Sequence, residues 1–269
     1  MSTSDFTRKA GNGVLMYACR ALEELPFVRH GFSTRTGGVS AGDAGLLNLS
    51  RVPWDLPELV EENRRRFLDA AGLRGTHLVT LSQAHSDRVH IIENNAGQWN
   101  ASAAGDALVS RCAGTALAVQ VADCFPILVA DPETAAVAAV HAGWRGTRSR
   151  ILAKTIAAMR RSVGSEPASL LVAIGAGIRA CCFEVGAEVV AQFHHEYPTG
   201  ALASRHPVHE GKFLLDLPAA LRYQAEEAGI KSDTVFDLGL CTRCNSDEFF
   251  SYRREGDRSG RMMGLIGRV

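Results

Sequence analysis

The chain places a cysteine, Cys124, and a histidine, His141, at matching ends of two short apolar runs, residues 127–130 and 136–140. Between the runs lies Asp131-Pro132-Glu133-Thr134, a turn tetrapeptide, since Asp suits the first position and Pro pre-sets φ at the second. If Asp131 closes on Thr134, the runs pair as a hairpin and Cys124 sits directly opposite His141. Opposed residues on an antiparallel pair have Cβ atoms about 5 Å apart. A soft thiolate and an imidazole at that separation suit a Zn²⁺ site. They equally suit a nucleophilic cysteine beside its base. The plainer alternative is a buried cysteine and a hydrogen-bonded histidine. The next residues, Gly143-Trp144-Arg145-Gly146, form a glycine-bounded loop before a helix, an arrangement that offers N–H groups and an arginine to an anion.

The elements that must position these side chains read as a mixed set. Strands are expected at residues 28–33, 77–81, 88–92, 107–110, 115–121, 170–174 and 234–238. Helices are expected at 57–71, 148–163, 187–197 and 216–229. Strands and helices do not alternate regularly, so a doubly wound sheet is not expected. The pattern fits one α+β domain over residues 1–269, with mixed β-sheets covered by helices in α/β/β/α-like layers. Residues 1–25 read as a partly ordered polar tail, and 198–212 as a long loop without periodicity.

With 29 basic and 29 acidic residues the formal charge is zero, which argues against bulk capture of nucleic acid or an anionic membrane. The N-terminal residues lack the apolar core of a signal peptide, and no apolar run approaches a membrane span. Seven cysteines without an export signal fit reduced thiols and a cytoplasmic location.

Other candidates are weaker. Cys241-Thr242-Arg243-Cys244 is a C-x-x-C, but it lacks the second close pair that a zinc ribbon needs. Cys181 and Cys182 are adjacent and would point to opposite faces of a strand. His194-His195 and His206/His209 read as solvated. The clusters Arg64-Arg65-Arg66 and Arg160-Arg161 fall on helix faces, whereas Arg253-Arg254 follows Phe249-Phe250-Ser251-Tyr252 and is harder to dismiss. No G-x-S-x-G, phosphate-binding loop or dinucleotide fingerprint occurs. His85 sits in Ser82-Gln83-Ala84-His85-Ser86-Asp87, a polar break between two strands.

Several longer motifs occur in order: FSTRTGGVS from Phe32, NLS from Asn48, ENRRR from Glu62, SQAHSDRV from Ser82, ADCFP from Ala122 and HAGWRGT from His141. CCFEVG from Cys181, CT at Cys241 and FFSYRREGDRSGRM from Phe249 follow. In these the chain resembles, from residue 27 onward, the bacterial "laccase domain" or multicopper polyphenol oxidase-type family, now assigned as zinc-dependent purine nucleoside phosphorylases. It departs from the family's pattern at Gln83-Ala84-His85-Ser86, where Gln-Val-His-Gly is more usual, and at Cys244. The resemblance implies His85, Cys124 and His141 as zinc ligands, leaving one coordination position open as catalytic sites do.

It further implies phosphorolysis of adenosine, inosine, guanosine or methylthioadenosine to free base and ribose 1-phosphate, with adenosine deamination as a side activity. The partners are then purine nucleosides and inorganic phosphate. Arg35 and Arg145, beside glycines in turns, are candidates to orient phosphate. Asn48 is a candidate for ribose or phosphate, and Asp123 and Glu184 for the purine, although Asp123 could instead cap the turn that orients Cys124. Three rival readings are a metal-free Cys-His hydrolase, a copper-dependent polyphenol oxidase, and a non-catalytic module binding a nucleotide or envelope fragment. Cu²⁺ could displace Zn²⁺ on these ligands, but the chain has no His-x-His pair of the kind laccases use.

Overall fold

The computed structural model describes residues 5–41, 45–93, 97, 99–197 and 202–269. Two six-stranded sheets stack face to face. The first runs β1 (Phe6–Gly11), β2 (Val14–Cys19), β3 (Val28–Ser33), β16 (Met262–Arg268), β8 (Thr115–Val121), β5 (His77–Val79). The second runs β15 (Val235–Asp237), β11 (Leu171–Ile174), β9 (Phe125–Ala130), β10 (Val137–Ala142), β7 (Ala107–Ser110), β6 (Val89–Ile92). A small third sheet joins β12 (Glu184–Gly186), β14 (Lys212–Leu215) and β13 (Ala203–Arg205). Each large sheet is mixed, because β5 runs parallel to β8 and β6 parallel to β7.

Burial follows the layers. Leu117, Val119 and Val121 of β8 meet Leu128, Val137 and Ala139 of the second sheet in a shared core. The opposite face of the second sheet packs Ile127, Val129, Ala138 and Val140 against α4 (Ile151–Val163), α5 (Ala187–Glu196) and α6 (Leu217–Glu227). The outer face of the first sheet packs Ala116, Ala118 and Leu265 against Phe67 of α2 (Pro57–Ala70). With both faces covered, every residue of β9 and β10 is buried, which explains their near-continuous apolar character. The expected α+β class and layer order hold. Among the described residues, no helix is long and apolar enough to cross a membrane.

Three expectations need correction. Residues 6–19 are not tail but the β1–β2 hairpin, paired Phe6 to Cys19 through Gly11 to Val14. Its turn is Asn12-Gly13, both with positive φ (51° and 82°), the twist-matched two-residue hairpin turn. The expected loop at 198–212 carries β13 and ends at the first residue of β14, while 198–201 lie outside the described residues. The helix expected from residue 148 is two pieces, α3 (Trp144–Arg148) and α4, separated where Arg150 takes a left-handed φ of 64°.

His30 on β3 is buried, and its Nε2 accepts the Cys19 backbone N–H at 2.8 Å. Burial disfavours the imidazolium and, with Lys9 nearby, outweighs the attraction of Glu23, bringing its pKa down to about 4. The unfolded chain binds this proton near pH 6.5. Between those values the unfolded state therefore holds more protons, so stability rises with pH through the window and is lost on acidification. We expect a loss on the order of 3 kcal/mol from pH 6.5 to 4 attributable to this residue. Denaturant unfolding across that range should show a shallower pH slope in His30→Gln than in the wild type.

Candidate metal centre and active site

His85, Cys124 and His141 come together at one end of the sheet stack, each offering a ligand atom within 4.8 Å of the others. Their convergence follows from where the chain changes sheets. Residues 122–124 carry it from β8 in the first sheet to β9 in the second, and His85 lies on the crossing from β5 to β6. His141 is the penultimate residue of β10.

The expected hairpin register is off by two. His141 faces Pro126, and Cys124 lies one residue beyond the last rung, Ala142 to Phe125. The turn closes Asp131 onto Ala136 rather than Thr134, and Ala135 absorbs the reversal with φ 56°. Asp131 holds the loop through bonds from the Glu133 N–H (2.9 Å) and the Thr134 hydroxyl (2.6 Å). A two-residue slip keeps each side chain on its face, so thiol and imidazole still meet. Gly143 makes room for them: a Cβ there would lie 2.9 Å from both Cys124 Sγ and His85 Nδ1.

Asp106, just before β7, organises the group and is wholly buried. Its Oδ1 bonds His141 Nδ1 at 2.7 Å and accepts the His85 N–H at 3.0 Å. Its Oδ2 accepts the Ser86 N–H and hydroxyl, both at 2.6 Å. The Asp106 bond leaves His141 Nε2 facing Cys124, the second-sphere arrangement usual for a ligating histidine. On the other side, the Gln83 amide clamps the backbone of Gln120 on β8 with two 2.7 Å bonds. Held from both sheets, His85 adopts a left-handed φ of 54°. Asp123, before the cysteine, has φ 84° and accepts from the Thr242 hydroxyl (2.6 Å) and the Arg253 N–H (2.7 Å).

The charges within the group are matched. Burial opposes the Cys124 thiolate, but His141 and His85 outweigh it and bring its pKa down to about 6. Burial likewise opposes the His141 imidazolium, yet Cys124 and Asp106 raise its pKa to about 9. A site that favours a thiolate is one that favours a soft cation in place of the histidine proton. A tetrahedral zinc ion sets S and N donors roughly 3.5 Å apart, so one sulfur and two ring nitrogens inside 4.8 Å fit such an ion.

The group opens into a cleft of about 780 Å³, within the usual size range of small-molecule sites. Arg145, Arg253 and Arg261 line it with Trp144, Phe183 and Tyr252. Arg145 stacks on Trp144 (4.4 Å), Arg253 on Phe183 (5.4 Å) and Arg261 on Tyr252 (5.6 Å). Of the residues expected at a site, His85, Cys124, His141, Arg145 and Asp123 border this cleft, while Arg35, Asn48 and Glu184 do not. Arg35 turns away to bond Ser246 O and Glu255 Oε1, both at 3.0 Å. Asn48 is buried, bonding Asp55 Oδ2 and accepting the Arg261 N–H. Glu184 pairs with His209 and His206. Asp106, Gln83 and Arg261 were not singled out from sequence. Gln83 and Arg261 lie within quoted motifs, whereas Asp106 announces itself only as a polar residue opening an apolar strand.

Fold and site together define a two-sheet α+β protein with a His-Cys-His group able to hold a metal ion. The chain belongs to the family described as multi-copper polyphenol oxidoreductase laccase, whose model matches residues 29–269. It is 40% identical over 242 residues to a purine nucleoside phosphorylase of Deinococcus radiodurans, covering 89% of each chain. A purine nucleoside phosphorylase of Corynebacterium glutamicum is 36% identical, covering 89% of this chain and 94% of that one. The crystal structure of YlmD from Geobacillus stearothermophilus superposes with a TM-score of 0.86 at 30% identity, covering 98% of both chains. Bacillus licheniformis hypothetical protein YfiH gives the same TM-score at 29% identity, covering 98% of this chain and 99% of that one.

Two substitutions test how the centre is held. Removing the charge of a group behind a ligating histidine weakens metal binding by roughly 10- to 100-fold, and we expect Asp106→Asn to do so in a metal competition titration. Gly143→Ala should also cut metal affinity, because its methyl group would crowd Cys124 Sγ and His85 Nδ1 at 2.9 Å. Its far-ultraviolet circular dichroism should stay that of the wild type, since φ there is −79° and ordinary for alanine.

Proposed function

We propose that the protein is a zinc-dependent purine nucleoside phosphorylase, with His85, Cys124 and His141 as the metal ligands. The observation that carries this reading is a three-donor centre opening onto a cleft lined by three aromatic-backed arginines. The names of the relatives support the same activity. Zinc there would supply a Lewis acid with one open position for an oxygen of phosphate or substrate.

The reaction joins a phosphate oxygen to C1′ of the ribose and breaks the C1′–N9 bond, whose electron pair leaves with the purine. The chain's own side chains supply binding and orientation. Arg145, Arg253 and Arg261 neutralise phosphate and fix its approach to C1′. Trp144, Phe183 and Tyr252 give the cleft the apolar planes that a purine stacks on. Tyr252 Oη donates to Asp257 Oδ1 at 3.1 Å and both line the cleft, which supports this pair as the hydrogen-bonding partner of the departing base. Asp123 acts on the turn rather than on substrate, because both its oxygens are taken by Thr242 and the Arg253 backbone. Adenosine, inosine, guanosine and methylthioadenosine are the substrates we propose, with adenosine deamination as a lesser activity.

One observation favours a second reading. Cys124 Sγ and a His141 ring nitrogen lie within 4.8 Å, and each favours the charged form of the other, as in a cysteine nucleophile and its base. Chromatography of free base released from inosine and adenosine separates the two. For the phosphorylase we expect release to require inorganic phosphate, to stop on chelation and return with zinc, and to fall by at least about 10²-fold in Cys124→Ala. Cleavage that continues without phosphate in chelated protein would establish the hydrolase instead.

A further inference from the structure

A second sulfur-rich cluster lies apart from the His-Cys-His group. Cys181, Cys182, Cys241 and Cys244 bring their four Sγ atoms within 4.8 Å of one another. Cys244 Sγ is 3.3 Å from Cys182 Sγ and 3.6 Å from Cys181 Sγ. Cys181 and Cys182 are not in a strand, as their adjacency was read, but in the tight turn closed by Cys182 N–H and Phe183 N–H on Arg179 O, both at 2.8 Å. That turn lets neighbouring side chains reach one point.

Opposite it, residues 241–244 form a knuckle. The Asn245 N–H closes it onto the Cys241 carbonyl at 3.1 Å. The Arg243 guanidinium lies 3.6 Å from Cys182 Sγ. A guanidinium at that distance favours a thiolate over a thiol. A tetrahedral ion with Zn–S bonds of about 2.3 Å sets its sulfurs about 3.8 Å apart. A disulfide would draw one pair to about 2.05 Å and leave two sulfurs over, whereas here a single sulfur, Cys244, touches both partners.

We propose that Cys181, Cys182, Cys241 and Cys244 are a second metal site, a closed four-thiolate centre for a zinc-class divalent cation. Binding exchanges the S–H protons for the ion and releases them to solvent, with no oxidant needed. The centre joins two segments that already share the Thr242 N–H to Gly177 O bond at 3.1 Å. One segment carries Ile178 and Phe183 of the cleft wall, and the other carries Thr242, which fixes Asp123 beside Cys124. The ion is thus a staple between one wall of the cleft and the segment that holds Asp123.

The test is zinc stoichiometry on reduced, full-length apo-protein, and it does not use nucleoside cleavage. We expect Cys241→Ser/Cys244→Ser to bind one equivalent fewer than the wild type. Cys124→Ala should retain a zinc ion whose X-ray absorption shows only sulfur neighbours, at about 2.3 Å. Peptide mass mapping of the wild type gives a second measurement that survives misfolding of the variant. Zinc should slow alkylation of the exposed Cys181 and Cys244 by about tenfold or more. Unchanged stoichiometry in the double variant, equal alkylation with and without zinc, or recovery of these residues as a disulfide from reduced, zinc-loaded protein would overturn the proposal.

Discussion

The buried carboxylate of Asp106 is the constraint on which the rest of the site depends. An ion in the interior must find hydrogen-bond partners or be neutralised. Here the partners are the His141 ring and the N–H groups of His85 and Ser86, so satisfying the carboxylate positions two members of the His-Cys-His group at once. Burial raises its pKa, but bonds from His141 and Ser86 outweigh this and hold it down at about 2. The same group therefore stays charged at neutral pH and keeps the imidazole in one orientation.

Why the centre lies where it does follows from the layers. Within a sheet, ladder hydrogen bonds leave little freedom to gather side chains from distant segments. Where the chain leaves one sheet for the other, that regularity lapses. Both crossings, at residues 84–86 and 122–124, fall at the same end of the stack. Positive φ at His85 and Asp123 marks the local conformational cost, which is borne by bonds to Asp106, Thr242 and the Arg253 backbone. The core beneath, with β9 and β10 buried on both faces, gives these turns a rigid base.

Much of this was legible in the residues, and the misses have physical causes. The long periodic segments declared themselves, as in α2 and β8. The hairpin was readable because a two-residue error in register keeps the faces, although the turn's length depended on Ala135 accepting a conformation its side chain does not advertise. The β1–β2 hairpin was missed because exposed Arg8 and Lys9 hid a strand that Asn12-Gly13 should have signalled. Arg35 and Asn48 illustrate a different difficulty. Both are polar and lie in glycine-rich or turn sequence, yet they spend their hydrogen bonds inside the protein, which only tertiary neighbours reveal. The four cysteines failed for the same reason: residues some sixty positions apart share a point that no spacing rule encodes.

The electrostatics of the cleft come from pairing each arginine with an aromatic ring. A guanidinium lying on a ring gives up little further side-chain entropy when an anion arrives, so its charge is prepositioned. Arg261 shows the tension in this arrangement. Burial lowers its pKa, while Cys124, Asp123 and Asp257 lie close enough to favour its charge. The cleft thus presents fixed positive charge beside apolar planes and a three-donor centre. That combination suits an anion and a flat heterocycle bound side by side, and it disfavours a simple phenol, which brings the plane without the anion.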